Sequence, residues 1–181
     1  NEKTIFLFLG RMMHEKGVDE LLEAVEVVHG PDVEFRLVGY SDAEDLNKPL
    51  EEAAAKGYIT RIDFDPNVHE HLKQASALVH PTRHEGMSNV LMEAAATGRP
   101  IIATGISGCV EILEDGVNGF YCKLKDSNSL VEALRKFMAL SYEEREKKKK
   151  KSREKVEREF DRMIVVEHYY EEIQSILTEK E

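Results

Sequence analysis

The chain has 181 residues, with 25 Lys and Arg against 35 Asp and Glu, a formal net charge of −10. At 41% hydrophobic residues it can bury a real core, and its length suits one domain or one plus a tail. Disordered and fibrous classes are excluded. Thr4–Leu9 (TIFLFL) reads as a buried strand followed by Gly10, and about Gly17 to Val28 as a helix whose Val18, Leu21, Leu22, Val25 and Val28 share one face. Glu34–Val38 is a second strand ended by Gly39. Ala43–Lys56 reads as helix, Arg61–Phe64 as a short strand, Val68–Ala75 as helix and Ala77–His80 as a strand closed by Pro81. Asn89–Thr97 is helical, Ile101–Thr104 a strand, Val110–Glu114 a helical turn and Phe120–Cys122 a last strand. From Ser127 the chain reads as helix in three pieces. Apolar strands between helices mean a parallel sheet covered on both faces, an α/β doubly wound Rossmann-like domain of about six strands with a helical C-terminal tail. The core should occupy about 1–140 and the tail about 141–181.

No apolar run approaches the ~18–20 residues that span a bilayer, and Asn1-Glu2-Lys3-Thr4 opens straight into a strand. The sequence therefore predicts neither a signal peptide nor a transmembrane helix. Cys109 and Cys122 lie in apolar surroundings without metal-type spacing, which points to a reducing, cytoplasmic setting. Between Glu143 and Glu159, 15 of 17 residues are charged, nine basic and six acidic, including the run Lys147 to Lys151. Elsewhere 16 basic residues face 29 acidic ones, which argues against a nucleic-acid-binding body. The lysine run reads as a solvated helix face, with peripheral contact to an anionic membrane as the rival reading.

In open parallel sheets ligands sit beyond the carboxyl ends of the strands, so Gly10–Gly17, Gly39–Asp42 and Thr82–Asn89 are the loops to inspect. Gly10 leaves backbone space for a ligand. Arg11 and Lys16 bring a guanidinium fork and a point charge from one loop, a pairing suited to a diphosphate. Cations at a helix start oppose the macrodipole unless an anion joins them. Neither a dinucleotide fingerprint nor a P-loop is present. In the third loop Ser88 or Asn89 can cap the following helix, and the amides of Gly86 to Asn89 make an anion cradle. Glu93 lies a turn inside that helix, where its carboxylate can accept from paired sugar hydroxyls. His69 and His71, two residues apart, cannot share a helical face, so no metal pair is expected. His80 reads as core or rim, and His84 as a pocket or solvent-facing residue. His14 has no assignable role, and Ile164, Val165, Tyr169, Tyr170 and Ile173 read as packing positions on the last helix.

The series Gly10-Arg11…Glu15-Lys16-Gly17, Leu37-Val38-Gly39, His80-Pro81-Thr82-Arg83-His84-Glu85-Gly86-Met87-Ser88-Asn89-Val90-Leu91-Met92-Glu93, Gly98-Arg99-Pro100 and Glu111-Ile112 resembles the C-terminal, donor-binding domain of a GT-B glycosyltransferase of glycosyltransferase family 4. The resemblance covers residues 4 to 177. It implies that Arg11 and Lys16 meet a donor diphosphate, Glu85 the transferred sugar, Glu93 the ribose hydroxyls and Gly39 the region of the base. Gly86, Met87, Ser88, Asn89 and Val90 then offer backbone amides to sugar and phosphate. It also implies a retaining enzyme using a nucleotide-sugar, commonly a UDP-sugar, without a metal or other cofactor, and assembling cell-surface polysaccharide or another glycoconjugate on a glycan or lipid-linked acceptor. Catalytic weight would fall on Glu85, Arg11 and Lys16, with Glu85 as an orienting and electrostatic group.

Two local features depart from the family. Asp65-Pro66-Asn67 replaces its usual glycine, and Ser107-Gly108 its paired glycine. The acceptor-binding N-terminal half is missing, so the resemblance implies an excised piece or a split subunit, inactive alone and inclined to self-associate through the uncovered face. The rival readings are a GT-B epimerase or phosphorylase and a non-catalytic nucleotide-binding or scaffold module.

Overall fold

The computed structural model describes residues 3–178. The side chain of Val165 and the terminal residues beyond these bounds lie outside the described residues. Six strands, β1 (Thr4–Leu9), β2 (Val33–Val38), β3 (Ile59–Ile62), β4 (Ala77–His80), β5 (Ile101–Thr104) and β6 (Gly119–Cys122), form one parallel sheet in the order β3-β2-β1-β4-β5-β6. Successive side chains of β1 alternate between faces, as the pleat requires. Phe6 and Phe8 join one buried cluster and Leu7 and Leu9 the other. Phe6 stacks on Phe35 at 5.2 Å between centroids and meets Phe137 edge-on at 5.7 Å. Each such buried ring contributes about 1.5–3 kcal/mol.

The first face carries α1 (Val18–Val28), α2 (Glu44–Ala55) and α5 (Ser127–Met138); the second carries α3 (Val68–Gln74) and α4 (Asn89–Ala96). β3 begins and ends two residues earlier than the sequence suggests. Phe64, which reads as its last apolar residue, lies beyond the strand and is 70% exposed. The expected helical turn at Val110–Glu114 is a set of turns over 107–112. Both cysteines are free and buried, and burial pushes their thiols up, Cys109 to about 12 and Cys122 to about 11.

The tail consists of α6 (Tyr142–Glu159) and α7 (Arg162–Thr178). A capping box joins Ser141 and Glu144 at the start of α6. The expectation of a wholly solvated lysine face needs correction. Arg145, Lys148, Ser152 and Lys155, at helical spacing, turn toward the body. Lys148 is 7% exposed, donates to the Gly116 carbonyl and lies 4.6 Å from the Phe120 ring centroid. Ser152 donates to the Asn118 carbonyl at 3.3 Å, and Lys155 pairs with Glu114 at 2.9 Å. The Lys148 ammonium is thus shared between a carbonyl and an aromatic face; Lys147 and Lys150 remain exposed. The packing positions expected on α7 are also corrected. Tyr169, Tyr170 and Ile173 are 69%, 63% and 54% exposed, because α7 leaves the body after Phe160 and Asp161; Ile164 is half-buried. No helix among the described residues is long and apolar enough to cross a membrane.

Candidate functional site

The strand order reverses between β1 and β4, each of which feeds a loop into the same crevice. A short 3-10 turn, His14–Lys16, follows β1 and ends at Gly17, which has φ 72°. A Cβ on Gly17 would stand 2.0 Å from the Pro81 carbonyl oxygen. Only glycine lets the two loops touch here. Further bonds fasten them. Arg83 N–H donates to the Glu15 carbonyl at 2.7 Å, and Thr82 Oγ1 donates to the same oxygen at 3.1 Å. The Arg83 guanidinium grips Asp19 and Glu20 of α1, both at 2.9 Å. His14 bridges Asp19 at 2.8 Å and Asp45 of α2 at 2.9 Å, and these two carboxylates, Asp19 first, raise its pKa. His14 and Arg83 thus make the scaffold of the site.

Glu85 stands at the centre. Its Oε2 accepts from Lys16 Nζ at 2.8 Å and from His80 Nε2 at 2.9 Å. The His80 bond is the first cause and the Lys16 ammonium the second for a carboxyl pKa lowered from 4.5 to about 2, against partial burial. Because an ionised carboxylate only accepts, the Nε2 of His80 carries the proton. His80 is 2% exposed, and its Nδ1 has no partner among the described residues. Both bonds fall on Oε2, so Oε1 is the oxygen left for a ligand. Sequence reasoning placed His80 in the core or at its rim, which its burial bears out, but did not foresee its bond to Glu85. The one available signal was a histidine closing a central strand, at the switch point, five residues before Glu85.

Beyond Glu85 the loop enters α4. Ser88, not Asn89, is the cap, and its hydroxyl accepts from Leu91 N–H at 3.4 Å. Ser88→Ala should lower stability by about 1 kcal/mol, read as a fall in the denaturation midpoint. The expected amide cradle is narrower than Gly86 to Asn89, since Ser88 N–H donates to the Gly108 carbonyl at 3.4 Å. Gly86, Met87, Asn89 and Val90 keep amides that no backbone bond consumes among the described residues. Gly108 explains the departure at Ser107-Gly108: only the second position must be glycine. Its φ is 86°, and a Cβ there would sit 2.1 Å from the Gly86 carbonyl oxygen.

Next to this helix start is a cleft of about 230 Å³ lined by Gly10, Arg11, Gly39, Tyr40, Phe64, Val90 and Glu93 among others. Five of the expected binding residues therefore share one concavity, with two exposed aromatic rings at its rim. Gly39 also has a packing role, because a Cβ there would lie 2.0 Å from the Gly10 carbonyl oxygen. Gly10 has open space in the corresponding direction. Arg11 is not directed at Lys16; it pairs with Asp42 at 2.9 Å while half exposed. Asp65 binds Asn67 N–H and His71, both bonds lowering its pKa, and so closes the short loop where a family glycine was missing. That pairing gives His71 a partner from the loop rather than from His69.

A doubly wound parallel sheet with uncommitted amides at a helix start and a cleft at its switch point has the Rossmann-like architecture of a GT-B half. The chain belongs to the glycosyl transferases group 1 family, whose model matches residues 3–139. It is 34% identical over 134 residues to an uncharacterised glycosyltransferase of Methanocaldococcus jannaschii, spanning 71% of this chain and 36% of the relative. To the capsular polysaccharide biosynthesis glycosyltransferase CapM of Staphylococcus aureus it is 24% identical over 192 residues, 100% of this chain and 48% of CapM. The chain thus spans about a third to a half of the curated relatives it matches. Among solved structures, Anabaena HepE in complex with UDP superposes with a TM-score of 0.86 at 18% identity, over 96% of this chain and 49% of that one. The C-terminal domain of LpcC from Francisella tularensis, a glycosyl transferase group 1 protein, gives 0.78 at 23% identity, over 88% and 87%. These likenesses establish the fold.

Proposed function

We propose that this chain is the donor-binding half of a retaining glycosyltransferase. It would take a hexosyl or N-acetylhexosaminyl group from a nucleotide-diphospho-sugar, with UDP-sugar the first choice, and pass it to a glycan or lipid-linked acceptor held by a second domain. Relatives named for capsular polysaccharide and lipopolysaccharide core biosynthesis support a role in cell-surface glycan assembly; a cytoplasmic setting is part of the same proposal. The observation that carries the reading is the Lys16–Glu85–His80 cluster at the start of α4, beside the cleft that Glu93 lines.

Breaking the anomeric C–O bond leaves positive charge on the sugar and negative charge on the departing diphosphate. Fixed cations and amide dipoles aimed at that diphosphate stabilise the transition state more than the ground state. Lys16, Arg11 and the amides of α4 would serve in place of a metal. Both cations are already partnered, so a diphosphate enters by sharing Lys16 with Glu85 and by drawing Arg11 away from Asp42. Glu85, held ionised by His80, would orient the sugar through Oε1 and offset the developing positive charge.

The test is calorimetric titration with UDP, GDP and ADP. One base should be preferred, and Glu93→Ala should weaken that nucleotide by about 1–3 kcal/mol by leaving ribose hydroxyls unpaired. An unchanged affinity in Glu93→Ala would remove the ribose assignment.

A further inference from the structure

At the opposite, amino end of the strands is a second concavity of about 450 Å³, walled by the entry to β1, the loop between α3 and β4, the residues before β5 and the first turns of α6. Its lining holds Lys3, Lys73, Arg99, Arg145 and Lys149 against a single carboxylate, Glu146. Two of the five cations are already matched locally, Lys149 with Glu146 at 2.6 Å and Lys73 with Glu70 at 2.8 Å.

The two guanidiniums are held by neutral acceptors. Arg99 donates to the Thr97 carbonyl at 3.2 Å and to those of Lys73 and Ala75 at 3.3 and 2.9 Å. Arg145 donates to Thr4 Oγ1 at 3.1 Å and to the Met138 carbonyl at 3.0 Å, and its buried Nε has no partner among the described residues. Partial burial pulls the Arg99 pKa below its ordinary value, with Glu146 opposing. Half-desolvated charge without a carboxylate partner is costly until an anion joins it. Ser76 adds a donor, because its Oγ already accepts from Ile5 N–H and its own proton is uncommitted among the described residues.

We propose that this concavity is a second anion site that takes a phosphate-bearing ligand, either a soluble phosphate or diphosphate or the headgroup of an anionic phospholipid. It is separate from the candidate donor cleft, since the six residues of β1 at about 3.3 Å each place the two ends of the sheet about 20 Å apart. Arg99 supplies the planar fork that suits phosphate oxygens, and Lys3 and Lys149 add point charges at the rim, Lys149 by sharing its ammonium with Glu146. The exposed Lys147 and Lys150 lie on the same helix but outside the lining, which makes them internal controls.

The test is amide-resolved NMR of the full chain titrated with inorganic phosphate and with pyrophosphate, alongside sedimentation with vesicles of phosphatidylglycerol or of phosphatidylcholine. Saturating shifts are expected at Ser76, Arg99 and Lys149. The pair K3Q/K149Q and the single R99Q should each raise the dissociation constant at least about tenfold, while K147Q/K150Q should leave it within about twofold. Because Arg99 also ties down the end of α3, the surface pair decides the matter if R99Q fails to fold. Saturation by the inorganic ions identifies a soluble ligand. Sedimentation only with phosphatidylglycerol, abolished in K3Q/K149Q, identifies a lipid headgroup. Shifts confined to the start of α4, shifts that never saturate, or equal binding by K3Q/K149Q would overturn the proposal.

Discussion

Gly17→Ala should lose both fold stability and the proposed nucleotide binding. Two penalties coincide at this position. The φ of 72° costs a residue with a side chain about 1–3 kcal/mol, and the new Cβ would lie 2.0 Å from the Pro81 carbonyl oxygen. Neither penalty can be relieved by turning a side chain, because the obstructing atom is backbone. The loops after β1 and β4 must move apart, stretching the bonds from Arg83 and Thr82 to the Glu15 carbonyl and the Lys16–Glu85 pair. Chemical denaturation should show a loss of at least about 2 kcal/mol, and nucleotide affinity should fall with it. A fully stable Gly17→Ala protein would mean that the loops do not meet as described.

His80→Leu should release Glu85 chemically while keeping the volume of a buried side chain. The Nε2–H bond is the leading cause of the low Glu85 pKa, so its removal should carry that value from about 2 back toward 4.5, with Lys16 holding it partway. In the native protein the Glu85 carboxyl is more acidic than in the unfolded chain, so its contribution to stability is present above about 4.5. It fades as pH falls from there toward about 2. His80→Leu should flatten this acid limb of the stability curve, and side-chain carbon NMR of Glu85 should show its titration shifted upward. If Glu85 meets the transferred sugar as proposed, the same change in a two-domain enzyme should reduce turnover more than donor binding, since the glutamate would no longer be fixed. An unmoved Glu85 titration would show that His80 merely fills space.

These residues also indicate where sequence reasoning succeeded and where it stopped. Uninterrupted apolar runs closed by Gly or Pro located five of six strands to within a residue, because a parallel sheet buried on both faces leaves little alternative. β3 slipped by two residues because Phe64, apolar in type, stands exposed at the rim of the cleft instead of in the sheet. The rule that ligands sit at strand carboxyl ends singled out the loops that carry Gly10, Arg11 and Gly39, whereas Val90 came from the family resemblance and Glu93 from its place one turn inside the helix. Pairings distant in sequence were not legible. Nothing local announces that Arg83 holds α1 or that Arg11 turns to Asp42. Lys148 misled for a related reason: a lysine within a charged run reads as solvated, yet its ammonium is buried against the Phe120 ring and the Gly116 carbonyl. Tyr169 and Tyr170 misled in the opposite direction, since apolar type predicts burial only where an element lies beneath.

The most direct test of the donor cleft compares UDP with uridine by calorimetry, on the native chain and on Lys16→Ala. If Lys16 and the α4 amides receive a diphosphate, UDP should bind more tightly than uridine by at least about 1.5 kcal/mol. Lys16→Ala should remove most of that difference while leaving uridine nearly unchanged. Equal affinities for UDP and uridine, or a UDP advantage that survives Lys16→Ala intact, would contradict the assignment of this cleft to a nucleotide-diphospho-sugar.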